Sequence, residues 1–277
     1  MAAVLGKSFY NPTMSSLYPW SITLIIPALN EESVVRGVVE QVLAEVEGKV
    51  RECEVILIND GSTDSTGEVM EQLARERRRI RVLHNPGNIG LGASYKRGVR
   101  EARCQYVMLL CGDGGFPASS LPAVFEKIGQ ADIVIPYMSN LRQLKTPARY
   151  LLSRGYTALL NFLFGFKLQY YNGLPVHRAD LLRRITITSA GFGFQGEILV
   201  KLLKSGCSHV QVGVLGAEHT RRSVALRPSN LVSVAKTLIH LVKEILRFKP
   251  IPREEIERGR GDRLANKQAT STQARVH

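Results

Sequence analysis

The chain has 277 residues, of which 44% are hydrophobic and 22% charged; this composition excludes a wholly disordered or fibrous protein and suits one α/β domain with extensions. Its 37 Lys and Arg against 24 Asp and Glu give a formal net charge of +13, which favours an anionic partner: nucleic acid, a phosphorylated substrate or an acidic membrane surface. Four cysteines without C-x-x-C spacing argue against a zinc site or a disulfide framework and favour a reducing cytoplasm.

Strands and helices alternate along the first half of the chain, after an irregular lead-in over residues 1–20. Short apolar runs predict strands at residues 22–26, 55–58, 80–84, 106–110 and 133–135. Helix-compatible segments lie at residues 32–46, 64–79 and 93–102. Nearly all-apolar strands that alternate with helices are typical of a parallel sheet covered on both faces. We therefore predict a Rossmann-like, mostly parallel α/β domain over residues 21–228.

Polar clusters follow each of the first four predicted strands. They are Asn30-Glu31, Asp60-Gly61-Ser62, Asn88-Ile89-Gly90 and Gly112-Asp113. Ligands of parallel α/β sheets bind at the carboxyl ends of the strands. The four clusters are therefore expected to converge on one edge of the sheet and to form a binding site there, although they are far apart in sequence.

The second half of the chain contains two amphipathic helix candidates, Tyr150 to Phe166 and Asn230 to Phe248, the latter within a helical segment at 229–249. Both have basic residues beside apolar ones, so each either lies on an anionic membrane surface or simply covers the sheet. No apolar run reaches the roughly 18 residues that span a bilayer, so we expect no integral membrane helix. Residues 250–277 are polar and charged, which predicts a basic flexible tail.

Three ordered motifs resemble those of family 2 glycosyltransferases, and the most similar branch is the dolichol-phosphate and polyprenyl-phosphate mannosyl- or glucosyltransferases. The motifs are Ile25-Ile26-Pro27-Ala28-Leu29-Asn30-Glu31-Glu32, Asn59-Asp60-Gly61-Ser62-Thr63-Asp64 and Asn88-Ile89-Gly90-Leu91-Gly92-Ala93. The resemblance implies a GT-A fold and an inverting enzyme. Such an enzyme moves a hexose or N-acetylhexosamine from a UDP- or GDP-linked donor to a polyprenyl phosphate or another membrane lipid.

The resemblance also implies which residues bind the donor. Asp60 is expected to contact the base or ribose; the alternative is a turn carboxylate that caps the next helix. The glycine-rich loop at Gly90 is expected to approach the donor closely, with Lys96 or Arg97 near its phosphates, unless it is a plain turn. The remaining donor residues are Pro27, Ala28, Leu29, Glu31, Gly112 and Asp113.

A metal site is implied at the end of the fourth strand, where relatives have an Asp-x-Asp that binds Mg²⁺ or Mn²⁺. Here the corresponding residues are Cys111-Gly112-Asp113. A thiol is a poor ligand for a hard cation, so Cys111 is predicted to pack at the strand end and Asp113 to bind the metal. His219 is the candidate second ligand; the alternative is a surface or phosphate-contacting histidine. Metal dependence stays open.

The acceptor side of the resemblance rests on Glu197, which is expected to act as the general base if the acceptor is a hydroxyl. If the acceptor is a phosphate, no base is required, and Glu197 either orients the sugar or is only a carboxylate at a helix N-terminus. Arg221 and Arg222 are candidates for holding a diphosphate or a lipid phosphate, or form a solvated basic turn. The loop Tyr170 to Pro175 lacks the carboxylate of relatives, which leaves the acceptor open.

Two alternative functions are kept: a glycosyltransferase acting on a soluble acceptor hydroxyl, and a nucleotide-sugar-binding protein with little turnover. A nucleic-acid partner is not expected, because the basic residues are dispersed and no recognition module is evident. The expected location is cytoplasmic, with peripheral attachment to the inner face of the membrane. The sequence does not indicate an oligomeric state.

Overall fold

The computed structural model describes residues 18–189, 193–216 and 228–260, with residues 228–237 described by their backbone alone. Seven strands lie in these ranges: β1 Tyr18–Ala28, β2 Val50–Asn59, β3 Ile80–His84, β4 Tyr106–Leu109, β5 Ile133–Met138, β6 Val176–Arg178 and β7 His209–Val214. They form one sheet in the order β3-β2-β1-β4-β6-β5-β7. Only β6 runs antiparallel to its neighbours in this described sheet. The prediction of a mostly parallel α/β sheet is confirmed.

Helices cover both faces of the sheet. They are α1 Val35–Val46, α2 Thr66–Glu76, α3 Leu91–Glu101, α4 Leu121–Phe125, α5 Leu141–Leu144, α6 Pro147–Phe164, α7 Ala179–Leu182, α8 Phe194–Lys204, α9 Pro228–Arg247 and α10 at residues 253–260. One apolar core lies between the sheet and α1, α2 and α4, and a second lies under α3 and α6 to α10. In the described part of the chain, no helix is long and apolar enough to cross a bilayer.

The central strand β1 explains the two cores. Ile22, Leu24 and Ile26 point into the first core and Ile25 into the second, because successive strand side chains alternate between the faces. β1 pairs with β2 up to Ala28–Asn59 and with β4 up to Ile25–Leu109. The loops that follow these strands therefore start side by side.

The domain begins earlier than the sequence suggested. Tyr18 pairs with Val50, and Trp20 is buried, stacks on Tyr18 and packs edge-on against Phe125. Residues 18–20 are thus the start of β1 rather than part of an irregular lead-in. Their sequence has no strand periodicity, but their aromatic rings pack on one another and on Phe125 and so stabilise the strand.

The predicted flexible tail is wrong for residues 251–260. Ile256 is buried in the second core, and its carbonyl accepts a hydrogen bond from Arg178 at 3.0 Å. Arg178 and Arg260 both bond the buried Asp132 carboxylate, at 2.9 and 2.5 Å, and these donors hold the pKa of Asp132 far below its usual range despite burial. Buried charges need such mutual pairing, so α10 is anchored to the sheet. Residues 261–277 lie outside the described residues.

Candidate functional site

The loops after β1 and β2 are joined at the carboxyl edge of the sheet. The side-chain carbonyl of Asn30 accepts a hydrogen bond from the Thr63 amide at 2.9 Å, and the Asn30 amide donates to Ser62 Oγ at 3.0 Å. The amide of Glu31 donates to Thr66 Oγ1 at 2.8 Å. The predicted convergence of these polar clusters is confirmed, because side chains of one loop satisfy backbone groups of the next.

Asp60 joins the β2 loop to the loop after β3. Its carboxylate, which is 5% exposed, accepts hydrogen bonds from the amides of Ile89 and Gly90, both at 3.0 Å. It also accepts from Asn85 Nδ2 at 2.8 Å and from Ser94 Oγ at 2.9 Å. Asp60 therefore holds the loop that starts α3, rather than capping the helix that follows it in sequence. Its contact with a base or ribose stays a prediction.

Two glycines allow this close approach of the loops. Gly61 has φ of +76° and faces the backbone of Gly87, with which any side chain would collide. Gly90, the residue before α3, has φ of +86° and ψ of 157°, a conformation essentially restricted to glycine. The glycine-rich loop is thus a tightly built element, not a plain turn.

Asp60→Asn is expected to lower the affinity for nucleoside diphosphates on the order of tenfold, because an amide nitrogen facing the Ile89 or Gly90 amide displaces the loop. The unfolding free energy should also fall by about 1–3 kcal/mol. Calorimetry and thermal unfolding measure both effects, and Glu68→Gln, at an exposed position of α2, is the matched control. A changed ratio of UDP to GDP affinity would instead assign Asp60 a direct contact with the base.

The end of β1 lies between Asp60 and the loop after β4. The Pro27 carbonyl accepts the Gly112 amide at 3.1 Å, and the Ala28 carbonyl accepts the Asp60 amide at 3.0 Å. A Cβ at Gly112 would lie 2.7 Å from Ala28 Cβ, so only glycine fits there. The structure thus brings the predicted donor residues of four loops to one place, with Leu29 and Glu31 on the loop that follows β1.

A cavity of about 150 Å³ opens beside Asp113. It is lined by Cys111, Asp113, Gly115, Phe116, Pro136, Met138, Tyr170, Asn172, Gly173, Leu174 and Val214. The cavity is lined both by Cys111 and Asp113, at the position of the relatives' metal motif, and by the Tyr170 loop. Nothing in the sequence indicated that these two regions are in contact with the same space. Asp113 is exposed, and one of its oxygens accepts the Gly115 amide at 3.0 Å.

Cys111 is unsuited to bind a hard cation. Burial, together with the charge of Asp113, raises the pKa of its thiol to about 12, so the thiol stays protonated at neutral pH. Within the described ranges, no three His, Cys, Asp or Glu side chains form a group that could hold a metal. The other candidates, His219, Arg221 and Arg222, lie outside the described residues, and their roles stay predictions.

Lys145 is a cation behind the wall of this cavity that the sequence did not identify. Its ammonium group donates to Ser153 Oγ at 3.1 Å and to the Tyr170 hydroxyl at 3.3 Å, and lies 5.2 Å from the centre of the Tyr170 ring. Tyr170 lines the cavity with Asp113, so Lys145 reaches the cavity wall through its contact with Tyr170. No local motif marks Lys145, since its partners are distant in sequence.

The basic residues predicted near the donor phosphates have other partners in this structure. Lys96 donates to the Ile187 carbonyl at 3.2 Å. Arg97 donates to the His84 carbonyl at 2.5 Å and to Asn85 Oδ1 at 2.6 Å, which braces the loop held by Asp60. Their phosphate contacts stay predictions.

The general-base role of Glu197 does not fit its surroundings. Glu197 is fully buried, and its carboxylate accepts from Lys201 Nζ at 2.5 Å and from the amides of Thr188 and Ser189 at 2.9 and 2.8 Å. These donors outweigh burial and lower the pKa of Glu197 to about 2. A carboxylate held in its charged form by an ion pair is a poor proton acceptor at neutral pH. In this structure Glu197 holds Lys201 and the backbone at residues 188–189, and its general-base role stays a prediction that this geometry disfavours.

Comparison with known proteins adds to this geometry. Residues 23–182 match the model of the glycosyl transferase family 2. The chain belongs to this family. As a family 2 glycosyltransferase it is 28% identical over 208 residues to an undecaprenyl-phosphate mannosyltransferase of Micrococcus luteus, covering 71% of this chain and 84% of the relative. It is also 27% identical over 164 residues to a dolichyl-phosphate beta-glucosyltransferase of Trichomonas vaginalis, covering 54% of this chain and 49% of that relative. The match thus spans about half the length of the Trichomonas relative.

The fold of this glycosyltransferase is shared with solved structures. Glucosyl-3-phosphoglycerate synthase of Mycobacterium tuberculosis, in complex with Mg²⁺ and UDP, superposes with a TM-score of 0.59 at 21% identity, covering 80% of this chain and 79% of that one. The same synthase with Mn²⁺, UDP-glucose and phosphoglyceric acid gives a TM-score of 0.60. The predicted GT-A fold is confirmed.

Proposed function

We propose that this glycosyltransferase moves a hexose or N-acetylhexosamine, with inversion, from a UDP- or GDP-linked donor to a polyprenyl phosphate or another phosphorylated membrane lipid. The observation that carries the transfer to a phosphorylated acceptor is the position of the cavity, whereas the choice of a lipid rests on the relatives. It adjoins the loops at the carboxyl edge of the sheet and has Asp113 and Tyr170 on its walls, with Lys145 bonded to the Tyr170 hydroxyl. The polyprenyl-phosphate and dolichyl-phosphate relatives support this acceptor class.

The donor nucleotide is proposed to lie against the joined loops, between Glu31, Asp60 and Gly90. Asp60 fixes the loop before α3, so the pocket is formed before the ligand arrives and its ordering costs little on binding. Gly112 allows the loop after β4 to pack against the end of β1, where a side chain would collide with Ala28, and so brings Asp113 close to the donor loops. The pyrophosphate then reaches Asp113.

A divalent cation, Mg²⁺ or Mn²⁺, is proposed to accompany the donor, with Asp113 as its ligand in the described part of the chain. One exposed carboxylate fits this role, because such ions in nucleotide sites take most of their oxygens from phosphates and water. The protonated Cys111 does not fit. When bound, the ion supplies positive charge to the departing diphosphate. The complexes of the synthase with Mg²⁺ or Mn²⁺ support the proposal.

The acceptor phosphate is proposed to bind near Lys145 and Tyr170. One of its oxygens forms a bond to the anomeric carbon, and the bond from that carbon to the nucleoside diphosphate breaks, so the leaving group takes the electron pair. Attack from the opposite side inverts the configuration. The phosphate oxygen is already anionic and requires no base, which is consistent with the low pKa of Glu197. Lys145 holds the nucleophile by charge and hydrogen bonding.

The proposed site of action is the cytoplasmic surface of a membrane, with peripheral attachment, because a polyprenyl phosphate is confined to the bilayer. The decisive experiment incubates the purified chain with a panel of UDP- and GDP-sugars and a polyprenyl phosphate, with and without Mn²⁺. Formation of a sugar-phosphate lipid from one donor is the expected result. Donor binding by thermal shift without any transfer would favour the alternative of a binding protein with little turnover.

A soluble acceptor is the second candidate, and the synthase complex with phosphoglyceric acid favours it, since that protein shares the fold. Both candidates need an anion-binding cavity, so the cavity does not decide between them. Adding small phosphorylated hydroxy acids to the same assay separates them: product from these acids, and none from the lipid, would contradict the lipid proposal.

A further inference from the structure

We propose that the outer face of α6 docks on the anionic surface of a phospholipid bilayer. The inference rests on the proposed function for its biological purpose, although the docking itself is tested independently. It concerns one defined helix face, which is centred on Leu151 and Phe162 and is here called the α6 outer face.

The α6 outer face is an exposed apolar stripe. Phe162 and Leu151 are 85% and 72% exposed, and Leu163 and Leu159 are 43% and 40% exposed. Leu151, Leu159 and Phe162 have the i, i+8, i+11 spacing of one helix face, with small residues between them in the same stripe. On the opposite side, Thr157 and Leu160 are buried. So many large apolar side chains on one exposed face indicate a contact surface.

The charge around this face is one-sided. Residues 133–177 contain no Asp or Glu, and their basic residues are Arg142, Lys145, Arg149, Arg154 and Lys167. A helix with an exposed apolar face, whose own and flanking charged residues are all basic, matches a bilayer with acidic headgroups: the stripe enters the interface and the basic side chains meet the phosphates. A folded protein partner would not require an acid-free stretch of this length.

The second amphipathic helix, α9, buries much of its apolar face in the core. In α9, Leu241 is fully buried and Ile245 is 5% exposed, and both lie in the second core. Its exposed apolar residues, Ile239 and Leu246, are 56% and 80% exposed, but the acidic Glu244 lies between them in sequence. The described part of α9 mainly covers the sheet, so of the two candidates α6 is the better membrane surface.

The position of α6 connects docking to the cavity. Ser153, on the second turn of α6, accepts a hydrogen bond from Lys145, which also bonds Tyr170 at the cavity wall. Ser153 lies on the side of α6 that holds Thr157 and Leu160, so a bilayer docked on the outer face would be one helix diameter, about 10 Å, from this bond.

The test measures binding of the full chain to vesicles of phosphatidylcholine alone or mixed with phosphatidylglycerol. Leu151→Ser/Phe162→Ser should lower the partition coefficient on mixed vesicles by at least about tenfold, whereas the matched α9 pair Ile239→Ser/Leu246→Ser should change it less than about twofold. Arg154→Gln/Lys167→Gln, at two exposed basic positions, should remove most of the preference for phosphatidylglycerol. Thermal unfolding checks that all variants are folded, as expected for exposed positions.

Three outcomes would overturn the proposal. The α6 pair binds vesicles like the wild type; the α9 pair loses as much binding as the α6 pair; or the wild type is a dimer that the α6 pair converts to a monomer with unchanged vesicle binding. The last result would make the face an interface between two copies of the chain.

Failure of docking and failure of the proposed function give different results. With a short-chain isoprenyl phosphate dispersed in solution, the α6 pair should retain wild-type turnover, and it should lose turnover only with a vesicle-embedded acceptor. No turnover of either acceptor by the wild type, combined with vesicle binding that depends on Phe162, would reject the proposed function and leave the docking surface intact.

Discussion

Asp113→Asn is expected to lower sugar transfer on the order of a hundredfold to a thousandfold, and to remove its dependence on divalent cations. Asp113 is the exposed carboxylate of the cavity beside the donor loops. Without it, the negative charge that develops on the departing diphosphate is left uncompensated. Asparagine keeps the size of the side chain and its acceptor oxygen for Gly115, so the fold should be retained.

The controls for this prediction use the neighbouring thiol. Cys111→Ala should leave activity nearly unchanged, because a protonated thiol contributes little to a hard cation. Cys111→Asp should tighten metal binding if the strand end accommodates the carboxylate. A readout independent of turnover is the extra thermal stabilisation that Mn²⁺ gives in the presence of UDP, which Asp113→Asn should abolish. Full, metal-stimulated activity of Asp113→Asn would instead favour Arg221 and Arg222 as the source of leaving-group stabilisation.

Glu197→Gln is expected to destabilise the protein by about 3 kcal/mol or more, because it leaves the buried Lys201 ammonium without its main counter-charge. Lys201 is 2% exposed, and Glu244, at 3.7 Å, is a more distant partner. Chemical denaturation measures the loss. The turnover of the fraction that stays folded should be close to wild type, since Glu197 is not placed to accept a proton from an acceptor.

From the ion pair between Glu197 and Lys201 we also expect stability to depend on pH. Folding lowers the pKa of Glu197 from its usual 4.5 to about 2. The stabilisation is therefore fully present above the unfolded-state value and is lost as the pH falls from 4.5 towards 2. The wild type should lose more stability than Glu197→Gln over this interval.

The matched control is Glu197→Gln/Lys201→Met, which removes both charges and should recover part of the lost stability. A folded Glu197→Gln protein with wild-type stability and greatly reduced turnover would contradict a purely structural role for Glu197. It would restore the general-base hypothesis, and with it an acceptor hydroxyl.

The sequence by itself determined the first five strands and the edge of the sheet at which the polar clusters meet. Apolar runs such as Ile22 to Ile26 are local signals, and the strand–helix alternation leaves few ways to arrange a parallel sheet. Once the sheet is parallel, Asp60, Gly90 and Asp113 must meet at its carboxyl edge. The family motifs are equally local, and for this reason the fold and the family were both predicted correctly.

Only the tertiary structure decided what each side chain contacts. β6 has three residues and β7 six. Neither was predicted, since pairing with β4 and β5, rather than a local pattern, defines β6, and pairing with β5 defines β7. The hydrogen bonds that Glu197 accepts from Thr188, Ser189 and Lys201 could not be predicted from its motif. They lower its pKa, and the pKa of a carboxylate depends on which donors the fold brings to it.

Tertiary packing also decides why the apolar faces of α6 and α9 differ in exposure and why α10 is packed on the sheet. Both amphipathic helices have apolar stripes, but packing buries Leu241 of α9 and leaves Phe162 of α6 exposed. The polar segment at 251–260 is held by Arg178 and Asp132, which are distant in sequence. Sequence periodicity shows which residues share a helix face, whereas the partner that covers that face is set by the arrangement of the whole chain.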